Sequence, residues 1–598
     1  MSAKNKLTRR EDIPAAAKWH LSDIYATRDA WKTARDSIAE LLKAITAYRG
    51  RLADPQALLD CLTRVDNMEI TLSAVFAYAR MQADTDTANQ NYQADTASCL
   101  SLLDEASAAT AFIEPELLAL PEETLANMAD KLPELSKYRF RFADLLRSKA
   151  HILSPDEEAF LARTGELRST ARNTYTVMAN ADLKFPDTHG EDGQLTTLSE
   201  SRYMQFIRSK DQKVRAEAFQ KLFQTYLGFR NTFASLYSSS VKASQFITTM
   251  RHYPSMLEGA LDSGNIPVSV YDTTIAVTHE FLPELHRYMS LKKKLLGVDE
   301  LHMYDLYVPV VAKPATTYDY DQARSLIQAA LQPLGEAYLH DLFAGLDGGW
   351  VDRLENEGKR SGAYSWGVYG VHPFVLMSWQ DTYDSVSTLA HEMGHSMHSF
   401  YSSQNQEYTN SEYTIFCAEV ASTTNENLLL EYMLNHAAPQ DRLYYINLYL
   451  EQIRTTVFRQ VLFAEFEKLT HAAVEQNEAL TADKLESIWM ELNRRYYGEE
   501  VILDDELRAE WSRIPHFYRP FYVYQYATGY AAAMTLSHKL RTEGTKAQTA
   551  YRSFLASGGS DYSIQLLQKA GVDMTSREPF TITFHKFSQC LDELERLL

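Results

Sequence analysis

The sequence predicts a mainly α-helical protein in which a small β-sheet comes directly before one particular helix. Three observations predict this fold class. Residues 51–164 contain no glycine, and their apolar residues recur at steps of three and four, which is typical of packed helices. Similar patterns run from about residue 200 to 345 and from about 400 onward. Between them, residues 362–379 read GAYSWGVYGVHPFVLMSW, whose glycines, aromatic and β-branched residues indicate short strands.

The first helical region, residues 51–164, should consist of long helices. Within it, Pro121 is followed by Glu122 and Glu123. Proline fits the first turn of a helix, where a missing N–H has no consequence, and acidic side chains favour the positive end of the helix dipole. We therefore predict that a new helix begins at Pro121.

The helical pattern is interrupted at residues 181–198, which read ADLKFPDTHGEDGQLTTL. Two short alternating runs flank a turn region there, so this segment predicts a β-hairpin near a domain boundary. We place the boundary after residue 185. This gives an N-terminal helical domain of residues 1–185 and a second domain of residues 186–598.

The charge balance excludes several classes of partner. The chain has 59 lysines and arginines and 79 acidic residues. The resulting net charge of −20 repels nucleic acid and anionic membrane surfaces. No segment approaches the roughly 18 apolar residues of a membrane span, and no apolar run follows the basic N-terminus MSAKNKLTRREDIP. The four cysteines form no C-x-x-C pair, which favours free buried thiols in a reducing compartment. We interpret the protein as soluble and cytoplasmic.

A helix is predicted from about Asp381 to Phe400. Asp381 and Asp384 occupy positions where N-cap or first-turn acids are favoured, and the segment contains no Lys or Arg. At about 100° per residue, one face is apolar and gathers Val386, Leu389, Met393, Met397 and Phe400. The opposite face gathers His391, His395 and His398.

Two of these histidines belong to a His-Glu-x-x-His motif in TLAHEMGHSMHSF, residues 388–400. Residues four apart lie side by side on a helix, so His391 and His395 can each offer a ring nitrogen to one metal at about 2.0–2.1 Å. Glu392 points about 100° away, beside a water. Zinc lowers the pKa of that water to about 7, and Glu392 takes its proton and passes it to the leaving amine. The motif predicts a zinc hydrolase, against a roughly 3% probability of a chance match.

A catalytic zinc needs a third protein ligand. The metzincin extension would require glycine at position 398 and histidine at position 401, but the sequence has His398 and Tyr401, which excludes that class. Glu419 is the best candidate, because its neighbours in FCAEVA are apolar and a carboxylate among them needs a cation. The alternative is an ordinary buried ion pair. Glu412 and Glu426 lie in more polar sequence and are interpreted as solvated acids.

Gly394 lies inside the predicted histidine helix, where glycine costs about 1 kcal/mol relative to alanine. One interpretation is the close approach of a neighbouring backbone, for which the 362–379 sheet is a candidate. The other is a tolerated small residue.

Residues 514–530, IPHFYRPFYVYQYATGY, combine one histidine, His516, with several tyrosines. Peptide hydrolysis requires hydrogen-bond donors to the oxyanion of a tetrahedral intermediate, and a histidine with one or two tyrosine hydroxyls can supply them. The alternative is an aromatic core patch, which we prefer for Tyr518 and Tyr530.

Several motifs, in order along the chain, resemble oligoendopeptidase F of the thimet oligopeptidase superfamily of zinc peptidases. TLAHEMGHSMHSFYS, FCAEVASTTNE and IPHFYRPFYVYQYATG carry the resemblance most clearly. It is supported by KWHLSDIY, KRSGAYSWGVYGVHPFVLMSW, FRQVLFAEFE and FLASGGSDYSIQLLQKAGVDM, and it extends from residue 14 to residue 585.

The resemblance implies an almost entirely helical, zincin-type fold with a small sheet beside the active-site helix and a deep channel between two lobes that admits short peptides. It implies one zinc ion (Zn²⁺) per chain, held by His391, His395 and Glu419, with Glu392 as the general base. Residues 186–598 would then form the catalytic domain.

The resemblance also implies residues that contact the substrate. The transition-state histidine and tyrosines of the family fall on His516, Tyr522 and Tyr526. The thimet branch spaces its tyrosines differently, so Tyr524 is an alternative. The glycine-rich substrate strand corresponds to residues 362–369, where Gly362, Ala363 and Tyr364 would bind a peptide as an extra strand.

These observations predict a zinc endopeptidase that cuts short unstructured oligopeptides internally. One rival is an exopeptidase of the same zinc chemistry, such as a peptidyl-dipeptidase, which would need a fixed basic residue for the substrate C-terminus; product lengths would distinguish it. The other rival is a non-enzymatic helical binding protein with a decayed site. The sequence does not reveal the oligomeric state.

Overall fold

The structure is a computed structural model that describes residues 7–597. The first six residues of the N-terminal segment considered above lie outside the described residues. Within the described range, α-helices connected by loops and short 3₁₀ turns make up most of the chain. The prediction of a mainly α-helical fold is confirmed.

The helices of the first half of the chain precede the predicted sheet. In chain order they are Arg28–Thr46 (α1), Pro55–Thr85 (α2), Gln90–Thr110 (α3), Ile113–Leu118 (α4), Glu122–Ala126 (α5), Met128–Lys131 (α6), Arg139–Ser148 (α7), Pro155–Arg163 (α8), Gly165–Val177 (α9), Glu200–Phe206 (α10), Gln212–Leu227 (α11), Arg230–Met250 (α12), Met256–Asp262 (α13), Val268–Glu280 (α14) and Leu282–Leu296 (α15).

The helices of the second half include the predicted histidine helix. In chain order they are Tyr320–Ala330 (α16), Glu336–Asp347 (α17), Tyr383–Asn405 (α18), Ile415–His436 (α19), Pro439–Ile453 (α20), Arg459–Glu475 (α21), Ala482–Tyr497 (α22), Tyr524–Glu543 (α23), Thr545–Leu555 (α24), Ser563–Lys569 (α25) and Glu578–Leu597 (α26).

The long helices predicted for residues 51–164 are found only in the first half of that region. Helices α2 and α3 have 31 and 21 residues. Helices α4 to α8 have only 4 to 10 residues each. Four prolines, at positions 115, 121, 133 and 155, divide this part of the chain, because proline lacks the N–H that a continuous helix needs. Pro121 directly precedes α5 rather than beginning it, and Glu122 and Glu123 form its first turn.

Among residues 7–597, the strands are short and form three separate sheets. They are Asp187–His189 (β1), Leu195–Thr197 (β2), Leu301–His302 (β3), Val351–Asp352 (β4), Tyr364–Trp366 (β5), Phe374–Leu376 (β6) and Val501–Ile502 (β7).

The strand pairing confirms both β predictions. β1 and β2 pair antiparallel, which is the hairpin predicted at 181–198. β3 and β7 pair in parallel. The third sheet has the order β4-β6-β5, with β5 antiparallel to β6 and Trp366 opposite Phe374. This sheet comes directly before α18, as predicted, and β5 is one of its edge strands.

The chain divides into two compact units, each built from three segments. Unit 1 contains Met1–Lys149, Thr316–Tyr432 and Ala533–Val572. Unit 2 contains Ala150–Ala315, Met433–Ala532 and Asp573–Leu598. The boundary predicted after residue 185 stays a prediction.

The third segment of unit 1 packs against α18 and the residues that follow it. The His398 ring of α18 lies 5.3 Å from the ring of Phe554 in α24. The Gln406 side chain donates a hydrogen bond of 2.8 Å to the carbonyl of Ala556. The hydroxyls of Thr414 and Ser563 lie 2.6 Å apart. Residues 533–572 therefore complete the packing around the histidine helix.

Two further predictions concern the cysteines and membrane-spanning helices. The four cysteines are buried and free, as expected from their spacing. Among residues 7–597, no helix combines the length and the apolar character that crossing a bilayer would require.

Candidate active site

Helix α18 carries the His-Glu-x-x-His motif, and its sequence explains why it forms. Thr382 rather than Asp381 is the N-cap, and its side chain accepts a hydrogen bond of 3.3 Å from the N–H of Ser385. Asp384 lies in the first turn, as predicted. Four of the five residues of the predicted apolar face, Val386, Leu389, Met393 and Met397, are fully buried, and Phe400 is partly exposed.

Three side chains of α18 and α19 converge on one point. The Nε2 atom of His391 lies 3.5 Å from Oε2 of Glu419, and Nε2 of His395 lies 3.6 Å from the same oxygen. One ligand atom from each residue lies within 4.8 Å of the others. Ligands held at about 2.1 Å by a tetrahedral zinc are about 3.4 Å apart, so this group, called the metal triad below, fits that ion.

Glu419 belongs to the metal triad, although the prediction that apolar neighbours bury it was wrong. Its side chain is 49% exposed rather than buried among apolar neighbours. Cys417 and Ala421, two residues to either side, lie about 160° from it on α19 and take the buried face instead. The Ser422 hydroxyl donates a hydrogen bond of 3.1 Å to its carboxylate. Contact with the imidazole of His395, against the effect of partial burial, lowers the pKa of Glu419 to about 2.

Glu426 is not the solvated acid that the sequence suggested. Its Oε1 atom lies 2.5 Å from Nδ1 of His391, and its side chain is only 24% exposed. This contact assigns the Nδ1–H tautomer and leaves Nε2 free to face Glu419. Burial disfavours the charged imidazole, but the hydrogen bond and the charge of Glu426 outweigh it and raise the pKa of His391 to about 9. The i,i+7 spacing of residues 419 and 426 is a signal that could have revealed this residue, because it places both on one face of α19.

Glu392 lies between the two motif histidines in sequence and is 7% exposed. Burial raises its pKa, whereas the charges of His391 and His395 oppose that rise. A carboxylate with a raised pKa is suited to accept a proton and release it again near neutral pH.

A backbone contact joins α18 to α19. A Cβ atom on Gly394 would lie 2.6 Å from the Cα of Ser422 and 2.8 Å from the carbonyl oxygen of Ala421. The Asn425 side chain also donates a hydrogen bond of 3.0 Å to the carbonyl of Ala390. The predicted close approach at Gly394 is confirmed, but the sequence was wrong to suggest the 362–379 sheet, because the neighbour is α19.

The third histidine of the predicted imidazole face has a different environment. His398 is 1% exposed and stacks on Tyr413 with ring centroids 3.5 Å apart. Burial, assisted by the charge of His395, lowers the pKa of His398 to about 3. His398 therefore packs as a neutral ring and lies outside the metal triad.

Strand β5 runs beside α18. The hydroxyls of Ser365 and Ser396 lie 2.8 Å apart. Gly362 precedes the strand with a φ of +89°, a conformation that favours glycine. The Tyr364 hydroxyl donates a hydrogen bond of 3.0 Å to Asp84. The substrate-binding roles of Gly362, Ala363 and Tyr364 stay predictions.

The predicted histidine and two of the tyrosines cluster in unit 2. The ring of His516 lies 6.3 Å from that of Tyr522 and 6.1 Å from that of Tyr526. The two tyrosine rings are 5.5 Å apart. We call these three residues the aromatic triad. Partial burial and the Arg519 guanidinium lower the pKa of His516, which favours its neutral form. The guanidinium of Arg519 lies 4.0 Å above the Tyr522 ring.

The remaining tyrosines of this segment are buried. Tyr518 and Tyr530 belong to the core, as predicted. Tyr524 is 3% exposed, and its ring lies 5.1 Å from that of Tyr271. Burial raises the pKa of Tyr524 well above its ordinary value. The direct role considered for Tyr524 stays a prediction.

A helical chain in which a His-Glu-x-x-His helix meets a glutamate of the following helix has the active-site architecture of a metallopeptidase. The family model described as Peptidase family M3 matches residues 205–586, and a second, described as Oligopeptidase F, matches residues 116–185. The chain belongs to Peptidase family M3 and to its oligoendopeptidase F group, as the motifs predicted.

Individual relatives agree with this assignment over nearly the whole chain. Oligopeptidase PepF of Bacillus subtilis strain 168 is 41% identical over 596 residues, which cover 99% of this chain and 89% of that protein. The crystal structure of oligoendopeptidase-F from Enterococcus faecium is 36% identical, with a TM-score of 0.74 and coverage of 95% of this chain and 99% of that one. A crystal structure from Chlamydophila abortus is 34% identical, with a TM-score of 0.94 and coverage of 99% and 100%. The protein is a metalloendopeptidase that hydrolyses peptides.

Proposed function

We propose that this protein is a zinc-dependent endopeptidase that hydrolyses internal bonds of short, unstructured oligopeptides. One zinc ion per chain would be held by His391, His395 and Glu419. The observation that carries the proposal is the metal triad, whose ligand atoms lie within 4.8 Å of one another on two adjacent helices. Its separations of 3.5 and 3.6 Å suit a tetrahedral ion with an open fourth position.

The zinc ion, when bound, supplies a Lewis acid that lowers the pKa of a water and polarises the scissile carbonyl. Glu392 then acts as the general base that takes the proton of the attacking water and delivers it to the leaving amine. Glu426 holds His391 in the tautomer whose Nε2 is available to a metal, and Ser422 orients Glu419.

The aromatic triad is proposed to stabilise the oxyanion that forms on the scissile carbonyl. His516 and the hydroxyls of Tyr522 and Tyr526 can donate hydrogen bonds, and all three side chains are at least partly exposed. Tyr524 is the alternative donor and is buried. Partial exposure therefore supports Tyr522 and Tyr526 more strongly than Tyr524 as donors to the oxyanion.

The substrate is proposed to be an extended peptide. β5 is an edge strand whose backbone can pair with a peptide, so that Gly362, Ala363 and Tyr364 would contact it. Such pairing requires an unfolded segment, which agrees with short unstructured substrates. The channel between two lobes stays a prediction, as does the assignment of residues 186–598 as the catalytic domain.

The remaining proposals concern the surroundings of the protein. The net charge of −20 disfavours nucleic acid and anionic membranes as partners. The free, buried cysteines suit a reducing compartment, and we propose the cytoplasm.

Mass spectrometry of a pool of short peptides, incubated with the zinc-loaded protein, tests this function. The Glu392→Gln variant is the matched control, because it keeps the shape of the side chain and leaves the metal triad intact. We expect internal cuts by the unmodified protein, and turnover lower by about 10²–10⁴-fold in the variant at equal zinc content. Removal of terminal dipeptides alone would favour an exopeptidase. Equal cleavage by both proteins would remove Glu392 as the base.

A further inference from the structure

A cavity of about 370 Å³ opens in unit 1 beside the metal triad. It lies along α18, where Ser399 follows His395 by four residues, a rise of about 6 Å. Strand β5 and the residues after it form a second wall, and the segment of residues 408–413 forms a third. The hydroxyls of Ser399 and Tyr413 lie 2.8 Å apart and join two of these walls.

The walls of this cavity are polar and aromatic. The aromatic side chains are Trp366, Tyr369, Tyr408 and Tyr413. Hydroxyl groups come from Ser73, Ser365, Ser399, Ser403 and Ser411. Glu412 is the only residue with a formal charge among the described lining residues. An aromatic surface with one carboxylate suits a cation on an apolar stem and repels an anion.

Further acidic groups lie behind the wall. Glu69 is on α2, one turn before Ser73, and burial raises its pKa, with smaller contributions from the charges of Asp66 and Glu412. The guanidinium of Arg141 opposes that rise. Lys137 pairs with Asp66 at 3.5 Å. These two cations oppose the charge of the deeper acids, and Glu412 is the carboxylate that lines the cavity itself.

The cavity is also placed where a substrate side chain would point. Side chains of a peptide paired with an edge strand project alternately to its two faces, so every second one can enter a pocket beside that strand. Gly367, just after β5, keeps the two walls close. A Cβ atom there would lie 2.8 Å from the Cβ of Ser399.

We propose that this cavity binds the side chain of a lysine or arginine of the peptide substrate, with its cationic group against the Glu412 carboxylate and its stem between the aromatic rings. The proposal rests on the proposed endopeptidase function and adds a substrate preference to it. Glu412 is a specificity-determining residue in this scheme, and it takes no part in bond cleavage.

The test uses one cleavable peptide sequence in which a single lysine is moved from position to position, with norleucine as the neutral counterpart at each. At one position we expect kcat/KM to be about tenfold higher for lysine than for norleucine, as for a hydrogen bond to a charged group. Glu412→Gln should bring this ratio close to one. Glu40→Gln is the matched control: it removes the same charge from an exposed residue of α1 outside the cavity wall, and the ratio should stay unchanged.

Charge reversal at Glu412 gives a second test. A residue with a merely structural role would not change the charge preference of the enzyme when its own charge is reversed. The Glu412→Lys variant should prefer glutamate to lysine at the same peptide position. A lysine ratio near one at every position, or a ratio that survives in Glu412→Gln, would overturn the proposal.

Failure of the proposed function would look different, because no peptide in the series would be cleaved. In that case the cavity is tested by the affinity of the lysine and norleucine peptides for the unmodified protein and for Glu412→Gln, measured by calorimetry. Equal affinities of the two peptides for the unmodified protein would overturn the proposal independently of catalysis.

Discussion

The metal triad and the aromatic triad are held in place by different kinds of structure. The metal triad projects from two helices whose backbones are in contact at Gly394 and Ser422. The aromatic triad spans a short 3₁₀ turn, a loop and the first turn of α23, and Phe521 between them adopts a φ of +53°. A helix sets the spacing of its side chains by itself, whereas a loop depends on the packing around it.

This difference leads to different expected responses to substitution. Substitutions in the metal triad should lower activity by lowering the zinc content of the protein. Changes in the aromatic triad should act on kcat and leave zinc content unaltered. The following variants, in order of decreasing effect, test that distinction.

Glu419→Ala should have the largest effect, because it removes one of three protein ligands. We expect most of the zinc to be lost, and activity to fall by about 10⁴-fold with the loss of Lewis-acid stabilisation. Metal analysis and peptide turnover measure both quantities, with Glu407→Ala as the control at an exposed acid. Full zinc occupancy in Glu419→Ala would show that another residue supplies the third ligand.

Tyr522→Phe and Tyr526→Phe should lower kcat by about 10²–10³-fold for whichever hydroxyl contacts the oxyanion, with little change in KM or zinc content. Tyr524→Phe is the matched control, since its ring is buried against Tyr271. Steady-state kinetics of the three variants compare them directly. A large effect of Tyr524→Phe alone would transfer the role to that residue, and a loss of zinc in any of them would break the distinction between the two triads.

Glu426→Gln should lower zinc affinity by about 10–100-fold, because the carboxylate that orients His391 is replaced by a neutral amide. Competition with a chelator measures the affinity, and Glu407→Gln is the control. Unchanged affinity would show that the contact between Glu426 and His391 does not contribute to zinc binding.

Gly394→Ala should have the smallest effect on activity and should act mainly on stability. Its methyl group would meet the backbone of Ser422, so the two helices must separate, at a cost of about 1–3 kcal/mol. Gly165→Ala is the control, because a Cβ there meets only the end of the Arg168 side chain at 4.0 Å. Thermal unfolding should show a lower midpoint for Gly394→Ala alone. An unchanged midpoint would mean that the contact is easily relaxed.

The features predictable from the sequence are those that one continuous stretch of the chain determines alone. The His-Glu-x-x-His spacing, the apolar face of α18 and the hairpin at 187–197 follow from helical and strand periodicity. The apolar spacing at 113–163 wrongly predicted long helices, because this spacing continues across the prolines that interrupt the helices.

The features that escaped prediction depend on two elements meeting. Glu426 looked solvated because nothing in α19 alone shows that His391 lies beside it. The neighbour of Gly394 was misassigned for the same reason, since the sheet and α19 are both close to it in sequence. The exposure of Glu419 was misjudged because its neighbours in sequence face the other way on the helix.

The three-segment composition of unit 1 has a consequence for the timing of synthesis. Translation adds roughly 5–20 residues per second from the N-terminus, so α18 and α19 emerge from the ribosome before residues 533–572 exist. A nascent chain at that stage carries the complete metal triad without Phe554 and Ser563, which pack around α18 and the start of α19. Tight zinc binding is therefore expected to begin only when translation is nearly complete.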